Sequence, residues 1–138
     1  MKNLIIVFMA ILLLSSCDDN LKVISRDFNV TLKSVEGNLA ETGKAVKCIF
    51  TVHNLDSDNN DQLFTTFTIK DGNGVIMLEN NEYGPGEIFE YDYKAEGNKL
   101  AFDYIPDAAG PQTLIVTLAS EIISRSDSIV LKVKQGEN

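Results

Sequence analysis

From about residue 26 onward, apolar and polar positions alternate with a period of two, the spacing of a strand that buries one face. Phe28, Val30 and Leu32 alternate with Asn29, Thr31 and Lys33 and predict a first strand. A second is predicted from Lys44 to His53 (Val46, Cys48, Phe50 and Val52 inward), and a third from Gln62 to Lys70 (Leu63, Thr65, Phe67 and Ile69 inward). Val75 to Glu79 predicts a short strand. Glu87 to Lys94 predicts another, with Phe89, Tyr91 and Tyr93 opposed to Ile88, Glu90 and Asp92. Three more are expected: Lys99 to Ile105, around Leu100, Phe102 and Tyr104; Gln112 to Ala119, around Leu114, Val116 and Leu118; and Asp127 to Lys134, around Ile129, Leu131 and Val133.

The connections carry their own chemistry. Val35 to Thr42, which contains Gly37, reads as a connection. Asp71-Gly72-Asn73-Gly74 predicts a tight hairpin, since Gly and Asn accept positive φ. Pro85 within Gly84-Pro85-Gly86 lacks an amide donor and interrupts any ladder. No window beyond the first seventeen residues keeps a helical apolar stripe over three turns. Eight short strands parted by turn signals predict an all-β, antiparallel β-sandwich of about seven or eight strands, and a small open β-barrel would give a similar alternation.

The beginning of the chain follows a different rule. Lys2 supplies a positive charge, Leu4 to Leu14 are eleven consecutive apolar residues, and Ser15-Ser16 precede Cys17. Such a run is too short for a helix to cross ~30 Å of hydrocarbon. It fits a secretory leader of the lipoprotein kind, cut before a cysteine that carries lipid. The expected organisation is a signal peptide over 1–16, a lipidated tether over 17–25 and one domain over 26–135. The lipid bilayer, held through acylated Cys17, is the first expected partner. Asp18-Asp19 leaves the destination open: Asp after the lipidated cysteine favours inner-membrane retention in enteric-type sorting, whereas acidic residues there resemble an export signal to the cell surface in another Gram-negative phylum. An outer-membrane lipoprotein, displayed at the cell surface, is the expectation adopted.

Without the leader the chain keeps eleven basic and twenty acidic residues, a net charge of −9. That surface repels phosphate backbones, so nucleic acid is not an expected partner. With Cys17 lipidated, Cys48 has no disulfide partner, and its place in an apolar alternation makes it a core residue. His53 is the single histidine, at a strand end, with no nucleophile elbow beside it. No catalytic residues and no cofactor are expected. Asp56-Ser57-Asp58-Asn59-Asn60-Asp61 is the one stretch with ligand chemistry: Asp56, Asp58 and Asp61 offer hard oxygen donors suited to calcium. It departs from the EF-hand, with Asp61 in place of the sixth-position glycine and Phe67 at the twelfth; a solvated loop is the simpler expectation. Tyr83, Ile122 and Ile123 are the candidate partner contacts, because neighbouring isoleucines cannot both enter one core and aromatics are favoured at interfaces.

Local wording adds a resemblance. Tyr104-Ile105-Pro106, then Gly110 and Thr113-Leu114-Ile115-Val116-Thr117, resembles the corner before the penultimate strand of immunoglobulin-like and fibronectin-like modules. In those modules an aromatic residue and a glycine turn the chain from one sheet to the other. Further, Phe67-Thr68-Ile69 followed by Asp71-Gly72-Asn73-Gly74-Val75-Ile76-Met77-Leu78-Glu79-Asn80, then Phe102, Tyr104 and Gln112 to Val116 in order, resembles the TraQ-type lipoproteins of conjugative transposons over about Asp27 to Val133. The resemblance implies an immunoglobulin-like sandwich on a lipid anchor, an accessory or structural part of a conjugation apparatus with envelope or conjugation proteins as partners. It brings no catalytic residues. The rival expectation is a surface adhesion or glycan-binding module of a nutrient-uptake system.

Overall fold

The computed structural model describes residues 23–137, which form nine strands and no helix. In chain order these are β1 (Asn29–Ser34), β2 (Leu39–Glu41), β3 (Val46–His53), β4 (Phe64–Lys70), β5 (Gly74–Leu78), β6 (Asn81–Tyr83), β7 (Lys99–Pro106), β8 (Gly110–Ala119) and β9 (Ser124–Lys134). Two sheets face each other, one ordered β1-β3-β7-β5-β6 and the other β2-β9-β8-β4. All pairings are antiparallel except β2 with β9, where Leu39, Ala40 and Glu41 run parallel to Lys132, Val133 and Lys134. The first strand thus lies in one sheet, and β2 then crosses to the edge of the other. This is an immunoglobulin-like β-sandwich.

Period-two alternation places the core between the sheets. Phe50, Val52, Leu100, Tyr104 and Ile76 from the five-stranded sheet meet Phe67, Leu114, Val116, Leu118 and Leu131 from the four-stranded one, all at 1% exposure or less. Each such side chain contributes about 1.5–3 kcal/mol relative to exposure. Cys48 lies in this layer, and burial, with a smaller push from the Asp103 charge, raises its thiol to about 12.

Three expectations need correction. Glu87 to Lys94 is not a strand. It makes one bridge, Thr65 to Phe89, because the Gly84-Pro85-Gly86 turn delivers it obliquely along the free edge of β4 and Asp92 then turns the chain again. Asp92 Oδ1 accepts the amides of Lys94 and Ala95, so no ladder can continue. The predicted facing still holds, with Phe89 and Tyr93 buried and Tyr91 half-buried. The Val35 to Thr42 connection does contain a strand, β2, too short to show a period. Asp71 to Gly74 is not a hairpin, since it carries the chain from β4 in one sheet to β5 in the other.

The long open side between β1 and β9 is closed by polar contacts. The Leu32 amide donates to Asp127 Oδ2 at 2.6 Å, and Arg125 donates to the Phe28 carbonyl at 3.3 Å and to Asp27 Oδ1 at 2.9 Å. These groups join the edge of one sheet to a strand of the other beside the buried side chains of Phe28 and Leu32.

Candidate functional site

The loops gather at two poles. The N-terminal entry to β1, the β3–β4 loop, the segment before β7 and the β8–β9 hairpin turn share one pole, because Asn29 pairs with His53, Thr51 with Lys99, and Phe64 and Ser124 both with Ala119. Cys17 lies outside the described residues, as do Asp18 and Asp19. The chain that follows them joins the sandwich at this pole. Here the Ser25 amide donates to Asp56 Oδ2 at 3.0 Å, and Arg26 pairs with Asp61 through both nitrogens of one guanidinium edge, Nε to Oδ2 at 2.9 Å. The hydrogen bond from Arg26 holds the Asp61 carboxyl below its usual range against opposing desolvation, and raises Arg26 in turn.

That pairing assigns the acidic loop a structural part. Asp56 Oδ1 accepts the Asp58 amide at 3.0 Å, and the oxygen of buried Asn59 accepts the Asp61 amide at 2.8 Å. The remaining Asn59 atom, Nδ2, is buried with no partner among the described residues. With the amide oriented this way, the loop interior presents an N–H donor and not a third oxygen. Among the described residues, no group of three or more His, Cys, Asp or Glu side chains is placed to hold a metal ion.

Tyr83, Ile122 and Ile123 do not form one patch. Tyr83 ends β6 in the five-stranded sheet and packs its ring on Phe89 at 5.3 Å, whereas both isoleucines belong to the β8–β9 turn of the other sheet. In that turn Ser120 Oγ accepts the amides of Ile122 and Ile123, at 3.3 and 3.1 Å. The turn sends Ile123 onto the core and leaves Ile122 56% exposed. His53, on the same pole, is exposed and bonds Thr31 Oγ1 at 2.9 Å through Nε2.

The opposite pole carries a crevice that the alternation could not foretell. It measures about 690 Å³ and lies where β2, the start of β3, the start of β8 and the end of β9 converge. Ala40, Val46 and Val133 are its most buried lining residues, and Leu39, 80% exposed, is its lip. Lys44, Lys132 and Lys134 line it with Glu36 and Glu41. Lys44 Nζ donates to Glu41 Oε2 at 3.1 Å, with Lys134 Nζ 3.8 Å from the same oxygen, and the first contact holds the Glu41 carboxyl below its usual range. No spacing in the sequence marks it, since Leu39-Ala40 is a two-residue apolar step in a connection between glycines.

An immunoglobulin-like sandwich with poles of this kind defines a class of domain. No protein-family model matches the chain, and no curated protein sequence is significantly similar to it. Among solved structures, it is similar to a conjugative transposon lipoprotein from Bacteroides eggerthii, at a TM-score of 0.58 and 17% identity over 78% of this chain and 98% of that one. A lipoprotein from Bacteroides thetaiotaomicron is similar at a TM-score of 0.61 and 14% identity, over 83% and 86%. A conjugate transposon protein from Bacteroides vulgatus is similar at 0.58 and 13%, over 82% and 91%. The fold implied by the sequence resemblance is therefore the fold found.

Proposed function

We propose that this protein is a lipid-anchored, non-enzymatic component of the bacterial cell envelope that serves conjugative transfer through protein contacts. The observation that carries this reading is the shared architecture with conjugative transposon lipoproteins, together with the apolar run Leu4 to Leu14 followed by Ser15-Ser16-Cys17, which reads as a leader over 1–16 cut before Cys17. Acylated Cys17 holds the chain on the bilayer, at ~0.8 kcal/mol per buried methylene. The sandwich then acts as a rigid support for exposed loops, among them the turn carrying Ile122.

Metabolic labelling with a palmitate analogue tests the anchor: native protein takes up label and Cys17→Ala does not. Mild crosslinking in mating cells followed by co-purification tests the role. Mating-channel proteins are expected in the recovered complex; their absence, with selective retention on polysaccharide instead, would replace this reading by a glycan-binding one. Protease shaving of intact cells reports the membrane face, with cleavage expected for a surface-displayed outer-membrane protein.

A further inference from the structure

We propose that the crevice at the β2–β9 pole binds a single-chain amphiphile with an anionic head, of the class of a long-chain carboxylate. Its volume, about 690 Å³, falls in the range of small-ligand sites. Ala40, Val46 and Val133 form the end of the core, so an apolar chain that enters here continues a packed apolar layer. Leu39 stands 80% exposed at the mouth, an apolar side chain that a bound chain would cover.

The head group follows from charge. The protein as a whole carries −8, yet the lining holds three lysines against two glutamates. Lys44 and Lys134 share the Glu41 carboxylate, whereas Lys132 makes no ion pair among the described residues. The lining therefore carries a net charge of +1: an entering carboxylate meets the ammonium of Lys132, whereas a cationic head is opposed by it and has Glu36 as its counter-charge. This inference is independent of the conjugation reading and stands or falls separately.

The test uses the chain from Val23 onward, which contains the nine strands and the core between them described above. Dodecanoate and dodecyltrimethylammonium, equal in chain length and opposite in charge, are each titrated below their micellar concentrations while methyl resonances are followed. Dodecanoate is expected to saturate one site and shift the methyls of Leu39, Val46 and Val133, with the cationic probe at least about tenfold weaker. Lys132→Glu and Leu39→Asp, both at exposed positions, are each expected to weaken dodecanoate by about tenfold or more without altering the melting temperature. Equal affinity for the two heads, shifts confined to other methyls, or no saturable shift would overturn the proposal. So would self-association of the free chain that buries Leu39, since a second copy would then be the occupant.

Discussion

Gly72 and Gly74 show how much one side chain can matter at a sheet-to-sheet turn. Both read as residues chosen for positive φ, yet in this turn only Asp71 adopts it, at 63°. Space is the constraint instead. A Cβ on Gly74 would lie 2.5 Å from the Ile105 carbonyl oxygen, and one on Gly72 would lie 2.6 Å from the Gln112 side chain. Gln112 is itself buried, bonded to the Tyr104 hydroxyl and, through Nε2, to the Ala108 carbonyl at 2.9 Å. Gly74→Ala is accordingly expected to cost roughly 2–3 kcal/mol in urea unfolding, because a backbone oxygen cannot step aside. Titration gives a second prediction at this scale. Burial raises Cys48 and Tyr104 to about 12 and raises Tyr93 further, so all three stay protonated in the folded state after they begin to ionise in the unfolded one. Their contribution is intact below the unfolded pKa values, near 9 to 10, and is lost as pH rises toward 12 and beyond. Each group then lowers stability by up to about 1.4 kcal/mol per pH unit. Melting temperature measured against pH should fall through this window, and a thiol reagent at pH 8 should label Cys48 only on unfolding.

At the scale of elements, the seam between β1 and β9 is the vulnerable join, since no ladder connects those strands. Asp127→Ala removes the acceptor of the Leu32 amide and is expected to cost about 1–2 kcal/mol and to speed hydrogen exchange at Leu32. Asp127→Asn keeps an oxygen there and should lose less. The inward residues of β3, β7, β8 and β9 were legible in advance because six or more alternating positions average out local accidents. Three-residue strands give no such average, so β2 and β6 were not legible. Glu87 to Lys94 showed the opposite failure: Phe89, Tyr91 and Tyr93 alternate and face as expected, yet Pro85 and Asp92 decide the backbone pairing at either end. Facing is set by side chains, and ladders are set by amides. Of the candidate contacts, the isoleucine pair was readable as one in and one out, but which was which depended on Ser120 Oγ. The crevice was not readable at all, because it arises where a parallel edge strand ends beside three others distant in sequence.

For the molecule as a whole, the first described residues are fastened at one pole and the crevice opens at the other. The ties at Ser25 and Arg26 fix the direction in which the chain enters the sandwich. Arg26→Ala should make the segment before β1 more susceptible to limited proteolysis while leaving the melting temperature nearly unchanged, because every core contact survives. The eleven residues of β9, at ~3.3 Å each, set the lysine-lined opening some ~35 Å from the pole where the chain enters, so a molecule seated in it is out of reach of the loops at that pole.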